Sequence, residues 1–411
     1  MRTFSSSVHT WFIPARDGVP VTRPRISLYG HDSLGLGHLR RNLCLARTLS
    51  GLPDEPDVLI VSGAVEASSY DLPAGAEMVT IPGVRKDDAG CYRSRRLRVG
   101  LDEAIALRRD MLTATLGAYA PDLLVVDKSP RGFGGELGPA LDALRARGTT
   151  RVVLGLRDVL DEPGVARREW REASMNESIR SHVDEVWIYG DPSVHDLAEA
   201  CGIPPALRTK ICYTGYLAAG RITAVERPPS VSPGVPYVLC TVGGGQDGVT
   251  LATAFLEARL PAGTAGVVVT GSQMAPRARQ AVERVAAGRN GVTVVTFHPS
   301  VDRWMPGAAA MVTMGGYNTV AEILSTDVPA LVVPRRSPRA EQAHRATALA
   351  ALGFVDVIDG PLAPAALTQW LDVATSRPRA ARLGIDLGGL SGVARLATRL
   401  LDHRRLRAVA V

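Results

Sequence analysis

Lysine is nearly missing from this sequence. Of its 47 Lys and Arg residues, only Lys86, Lys128 and Lys210 are lysines. Such a bias fits a GC-rich genome, and it also supplies planar forks of donors suited to anions. Aromatic residues make up 5%, too few for the stacking platforms that hold single-stranded nucleic acid. No stretch approaches the ~20 apolar residues of a membrane-spanning helix. Five scattered cysteines (Cys44, Cys91, Cys201, Cys212 and Cys240) form no CxxC pair and read as reduced thiols of a cytoplasmic protein. Residues 1–20 lack the charged-then-apolar layout of a signal peptide. There is no Asp-x-Asp triplet, no HxH or HExxH and no GxSxG, so neither a metal site nor a hydrolase elbow is indicated. A net charge of +6 over 411 residues suits an anionic substrate such as a nucleotide and falls short of a nucleic-acid footprint.

What remains is a soluble α/β composition, 46% hydrophobic and 21% charged. Short apolar runs alternate with helical periodicity, the signature of βα units around parallel sheets. One series runs through Arg25–Tyr29, Val58–Ser62, Leu123–Val126, Val152–Leu156 and Val186–Tyr189. A second runs through Tyr237–Val242, Gly266–Thr270, Val292–Phe297, Ala309–Met314 and Ala330–Val333. Between them lies a stretch dense in proline (Pro228, Pro229, Pro233, Pro236), which disfavours helix and reads as an extended linker. The expected organisation is an N-terminal extension over 1–20, a βα domain over 21–217, a linker over 218–235, a second βα domain over 236–388, and a terminal helix over 389–411. In two-domain sheets of this kind the ligand cleft lies at the carboxyl ends of the strands.

The glycine motifs fall at those ends. Gly30-His31-Asp32-Ser33-Leu34-Gly35-Leu36-Gly37-His38 follows the first strand and is neither a dinucleotide fingerprint nor a Walker loop. His38 opens the next helix, where the positive end of the dipole favours a neutral imidazole able to take a proton from a hydroxyl, unless it merely caps or packs. Val242-Gly243-Gly244-Gly245-Gln246-Asp247 follows the first strand of the second domain, and glycines there either admit phosphate oxygens to backbone donors or make a tight turn. Gly315-Gly316-Tyr317-Asn318-Thr319-Val320-Ala321-Glu322 repeats the strand–glycine–helix pattern. Thr319 and Glu322 have capping-box spacing, and Glu322 could equally accept from vicinal hydroxyls. Glu341 and Gln342 begin a helix with adjacent groups that suit a polyhydroxylated ligand. Asp127, Lys128, Arg157 and Asp158 stand at strand ends of the first domain. Asp127 could orient an imidazole or act as the base itself, and Arg157–Asp158 could form an ion pair. Arg85, Lys86, Arg93, Arg95, Arg96 and Arg98 cluster around Tyr92, as a solvated face or as a contact for an acceptor phosphate or membrane surface.

In order and spacing, these motifs resemble those of the MurG-like, nucleotide-diphosphate-sugar glycosyltransferases of the GT-B fold. The stretch that carries the resemblance is MGGYNTVAEILSTDVPALVVPRRSPRAEQAHRATAL, residues 314–349, with GLGH at 35–38 similar to the first-domain loop. The resemblance implies two facing Rossmann-like domains, a C-terminal helix crossing back onto the first, and a donor held mainly by the second. It implies that Gly243, Gly244, Gly315, Gly316, Tyr317 and Asn318 line the donor diphosphate, with Gly35, Gly37, Gly245 and Thr319 also on the donor side. Glu322 would hold the ribose, Glu341 and Gln342 the sugar, and Phe297 and His298 the base. The first domain, with VVDKSP at 125–130 and LGLRDVLDEP at 154–163, resembles a bacterial branch of predicted glycosyltransferases, and similar enzymes act in antibiotic pathways.

The expected function is therefore an inverting, metal-independent glycosyl transfer from a nucleotide-diphosphate sugar to a hydroxyl of a small acceptor, without a cofactor. His38 and Asp127 are the catalytic candidates; His31, Asp32, Lys128, Arg157 and Asp158 are the acceptor-binding ones. A nucleotide-sugar 2-epimerase of the same fold and a non-catalytic sugar-nucleotide-binding subunit are the rivals. No nucleic-acid partner is expected, and peripheral membrane contact stays open.

Overall fold

The computed structural model describes residues 23–32, 35–86, 91–379 and 381–409, with side chains described up to residue 402. The proposed extension over residues 1–20 lies outside them. The first domain is a seven-stranded parallel sheet in the order β3-β2-β1-β6-β7-β8-β9. Its strands are β1 (Arg25–Gly30), β2 (Asp57–Ser62), β3 (Ala76–Thr80), β6 (Leu123–Asp127), β7 (Arg151–Arg157), β8 (Glu185–Tyr189) and β9 (Ile211–Tyr213), while β4 (Val84–Lys86) and β5 (Tyr92–Ser94) form a separate antiparallel hairpin. The second domain is a six-stranded parallel sheet, β12-β11-β10-β13-β14-β15, built from β10 (Tyr237–Thr241), β11 (Ala265–Val269), β12 (Val292–Val295), β13 (Ala310–Thr313), β14 (Ala330–Val332) and β15 (Asp356–Val357). β1, β6 and β10 are buried almost throughout, as strands covered by helices on both faces must be. Of the basic stretch around Tyr92, Arg85, Lys86 and Arg93 lie on the β4–β5 pair and Arg95, Arg96 and Arg98 in the irregular segment after it.

Two glycine loops sit where strand order reverses, after β1 and β10, at the switch points where α/β sheets bind ligands. The domains share one continuous apolar core that includes Leu39 and Trp187 of the first and Tyr317 and Val320 of the second. The chain crosses between them twice, and the crossings lie side by side. The Tyr216 amide donates to Asp386 (2.8 Å), that of Ala219 to Leu387 (2.9 Å), and that of Gly389 to Tyr216 (2.9 Å). Residues 218–235 contain no helix or strand, as their prolines dictate. The final helix, Gly389–Val409, runs back along helix Gly37–Ser50, and Arg399 pairs with Glu185 on β8. Among the described residues no helix is long and apolar enough to cross a membrane.

A buried ion pair locks the two domains together. Arg345, on helix Glu341–Ala351 of the second domain, donates to Asp158 at the end of β7 at 2.7 and 2.9 Å. Arg345 is fully buried and Asp158 is 2% exposed. Tyr216 also donates to Asp158 (3.1 Å), and Arg345 reaches the Gly315 carbonyl (3.2 Å). The Asp158→Asn variant strands a guanidinium inside the interface. It should lose ~3–5 kcal/mol in urea unfolding, and Asp158→Asn combined with Arg345→Met should lose less than the sum of the single variants.

Candidate functional site

His38 lies in the first turn of helix Gly37–Ser50, nine-tenths buried, with its Nδ1 3.0 Å from the Asp127 carboxylate at the end of β6. Asp127 also accepts from Arg41 Nε (3.0 Å) and Nη2 (2.6 Å). Arg41 and His38 hold its carboxyl down to about 2 against the opposing effect of burial. Such a group stays ionised and only accepts. As the nearer partner of Nδ1 it favours the tautomer with the hydrogen there and the lone pair on Nε2, over the longer 3.3 Å approach of Arg41 Nη2 to the same nitrogen. Of the two roles open to Asp127 in the sequence, this geometry suits that of orienting partner.

Asp32, an acceptor-binding candidate, is 1% exposed with both oxygens engaged. One accepts from the Leu39 amide (3.0 Å), the other from the Ser62 hydroxyl (2.6 Å). It thereby caps the helix that carries His38, from outside that helix. His31 stacks on His38 with ring centroids 4.4 Å apart and faces Phe133 at 6.3 Å; Phe133 in turn packs against Tyr92 of the hairpin at 4.8 Å. Burial pushes the His31 imidazole well below its ordinary range, and His38 and Lys128 add to the effect. It is therefore neutral at pH 7. Lys128 and Arg157 stand at the adjoining ends of β6 and β7, with the Lys128 amide bonded to the Gly155 carbonyl (2.8 Å). Asp158 does not pair with Arg157. Both its oxygens are committed to Arg345 and Tyr216, which makes it an interdomain strut rather than an acceptor contact.

The three glycine loops converge across the cleft. The Gly35 amide donates to Gln273 of the second domain (3.0 Å), and Asn318 Nδ2 donates to the Gly37 carbonyl (2.8 Å). A Cβ on Gly244 would stand 3.6 Å from the Gly35 Cα. Gly243 and Gly245 have φ of 64° and 97°, and at Gly245 a Cβ would strike the Thr270 carbonyl at 2.2 Å, so only glycine fits that turn. Gly315 has φ 81°, and Gly316, with extended backbone, is the N-cap of helix Tyr317–Leu324. No side chain caps this helix. Thr319 and Glu322 thus lie inside it and form no capping box. Tyr317 is 4% exposed, its ring between the Arg41 and Arg345 guanidinium groups (both 5.7 Å from the ring centroid). Only its backbone can face a diphosphate.

Glu322 is 1% exposed. Its Oε1 accepts from Arg40 of the first domain (2.6 Å) and Arg221 of the linker (3.1 Å), while Oε2 is buried without a partner among the described residues. A narrow cavity of about 30 Å³ opens there, lined by Arg40, Tyr70, Arg221, Pro299, Asp302 and Glu322. Phe297 reaches its edge through Tyr70 at 5.9 Å, whereas His298 packs on Trp304 at 4.5 Å. Glu341 Oε1 accepts from Arg335 (2.7 Å) and its Oε2 is likewise buried and unpartnered, while the Gln342 carbonyl oxygen is spent on the Arg335 amide (3.0 Å). Two orphaned carboxylate oxygens facing one cleft are acceptors waiting for donors, which hydroxyl groups supply. Among the described residues no three His, Cys, Asp or Glu side chains gather as a metal centre requires.

Sequence reasoning missed Arg40, Arg41, Arg221, Gln273 and Arg345. Arg41 stands three residues after His38 and Arg345 four after Glu341, the spacings that share a helix face, so both were within reach of a periodicity argument. Arg221 and Gln273 lie in irregular segments that carry no such signal.

Comparison with known proteins places the fold. Residues 238–376 match the glycosyltransferase family 28 C-terminal domain. Along nearly its whole length the chain superposes on the calicheamicin glycosyltransferase CalG4 (TM-score 0.54, 17% identity, 93% of this chain and 95% of that one). It likewise superposes on the spinosyn forosaminyltransferase SpnP (0.55, 14%, 95% and 98%). A third match is the UDP-GlcNAc 2-epimerase of Neisseria meningitidis bound to UDP-GlcNAc (0.55, 13%, 92% and 98%). At these identities the likeness establishes the fold. The chain has the two-domain GT-B architecture, and its second domain is similar to the glycosyltransferase family 28 C-terminal domain.

Proposed function

We propose that the protein is an inverting glycosyltransferase that moves a sugar from a nucleotide-diphosphate donor to a hydroxyl of a small acceptor. The observation that carries this reading is the oriented His38–Asp127 pair, placed across a cleft from the glycine-capped helix of a family 28 domain. The donor diphosphate lies against the amides of Gly243 and Gly244 and the start of helix Tyr317–Leu324, where free N–H groups and the helix dipole favour anions, while the Gly245 amide closes the turn onto the Val242 carbonyl. Glu322 Oε2 takes ribose hydroxyls and Glu341 Oε2 takes sugar hydroxyls, each by filling an acceptor now empty. His38 Nε2 removes the acceptor proton as the acceptor oxygen bonds to the anomeric carbon from the face opposite the diphosphate. The bond from that carbon to the diphosphate breaks, and its electron pair leaves with the diphosphate oxygen, where the backbone amides stabilise the charge. No cofactor takes part. The CalG4 and SpnP likenesses make a natural-product acceptor the first class to screen. The five free thiols suit a cytoplasmic enzyme.

Three measurements test this reading. Gly316→Asp puts a carboxylate at an N-cap whose Cβ direction is open. Asp is a good N-cap, so thermal stability should hold or rise while UDP or dTDP affinity falls at least tenfold by calorimetry. Unchanged affinity would move the diphosphate elsewhere. His38→Ala should lower kcat at least a hundredfold with donor affinity changed less than threefold, and near-normal turnover removes His38 from the mechanism. Turnover should persist in excess chelator. Sugar interconversion in the absence of any acceptor would instead transfer the reading to an epimerase.

A further inference from the structure

Lys128 is one of three lysines in a chain that otherwise uses arginine, and it occupies a position of its own. It follows Asp127 at the end of β6 with φ of 70°, a left-handed backbone that a long side chain rarely adopts. Its ammonium is half-buried and makes no ion pair or side-chain hydrogen bond with any described residue. Beside it, Arg157 Nε is buried without a partner. The other arginine contacts are weak: Nη2 to the Leu160 carbonyl (3.2 Å) and Nη1 to Glu341 at 3.9 Å.

The neighbouring carboxylates are already taken. Asp127 is held by Arg41 and His38, Asp158 by Arg345 and Glu169 by Arg339, while Glu341 gives Oε1 to Arg335 and stands only 3.9 Å from Arg157. The other charged and titratable groups facing Lys128 are His31, Arg157 and Arg339. Burial, then Arg157 and Arg339, pushes the Lys128 ammonium down to about 8, and burial brings Arg157 to about 10 despite Glu341. Two partly desolvated cations on neighbouring strand ends, Lys128 with no counter-charge and Arg157 with only the 3.9 Å approach to Glu341, cost stability that an anion between them would return.

We propose that Lys128 and Arg157 form a seat for a carboxylate or phosphate group of the substrate that reacts at His38. The seat adjoins Asp127 on one side and the sugar-facing Glu341 on the other, so the anionic group lies beside the reacting hydroxyl. It belongs either to the acceptor or to the transferred sugar. Only the identity of the carrier as a substrate rests on the glycosyltransferase reading; the anion seat itself does not.

The test reads Lys128 directly. The full chain is reductively methylated with ¹³C, giving resolvable dimethyl-lysine signals from Lys86, Lys128 and Lys210, and each is titrated by NMR with and without inorganic phosphate. The Lys128 midpoint should rise by at least one pH unit in saturating phosphate while the other two stay put. In Arg157→Gln the midpoint without phosphate should already be higher, because a repelling neighbour is gone, and phosphate should bind at least tenfold more weakly. Arg157→Lys keeps a cation there and should retain phosphate affinity within threefold, which protects the test should the Gln variant fold poorly. A Lys128 midpoint indifferent to phosphate overturns the proposal. So does UDP alone reproducing the shift and excluding phosphate, since the pair would then serve the donor diphosphate. Displacement of phosphate by UDP-glucuronate but not by UDP-glucose assigns the anion to the sugar, and displacement by neither assigns it to the acceptor. Failure of the glycosyltransferase reading would show separately, as absence of nucleotide binding with the phosphate response intact.

Discussion

The guanidinium of Arg345 and the carboxylate of Asp158, both withdrawn from water, decide how the two domains face each other. Removing two charges from water is repaid only when every donor and acceptor is used. Here Asp158 takes Arg345 and Tyr216, and Arg345 also reaches the Gly315 carbonyl. The pair sets the height of helix Glu341–Ala351 against the first sheet and so places Glu341 opposite Arg157. The Arg345 face closes over the Tyr317 ring, whose other neighbour is Arg41, and Arg41 anchors Asp127. A chain of contacts thus runs from the interdomain lock to the His38 imidazole.

Arginine is suited to this role in a way lysine is not. Its flat fork binds a carboxylate with two parallel hydrogen bonds, stacks on aromatic rings and keeps its charge when buried. Arg41 and Arg345 do all three. The lone lysine among them, Lys128, has neither a fork nor a partner, and its proton is held less tightly.

Much of this was legible in the chain itself. Strands such as Arg25–Gly30 and Glu185–Tyr189 are buried on both faces and read as continuous apolar runs, and the loops after β1, β10 and β13 announce themselves by glycine. β3, β9 and β15 escaped because they are short or half-exposed edge strands, where burial leaves no periodic trace. Asp127 stood in the sequence either as the base itself or as the orienting partner of an imidazole; its contact with His38 spans 89 residues, a separation that no local pattern encodes. The capping box failed because the helix starts two residues before Thr319, which moves Thr319 and Glu322 into its interior. Asp158 looked like a cleft residue because its partner, Arg345, lies 187 residues away on another domain.

The paired crossings at Tyr216–Ala219 and Asp386–Gly389 have a mechanical consequence. Two segments laced by amide–carbonyl bonds and packed under one core resist being pulled apart better than a single segment would. The domains are joined by a double seam rather than a flexible cord, so any displacement of one against the other strains both crossings together. The Gly35–Gln273 and Gly37–Asn318 contacts add two ties of the same kind between the glycine loops, so the distance between the facing loops is set from both the seam and the loops themselves.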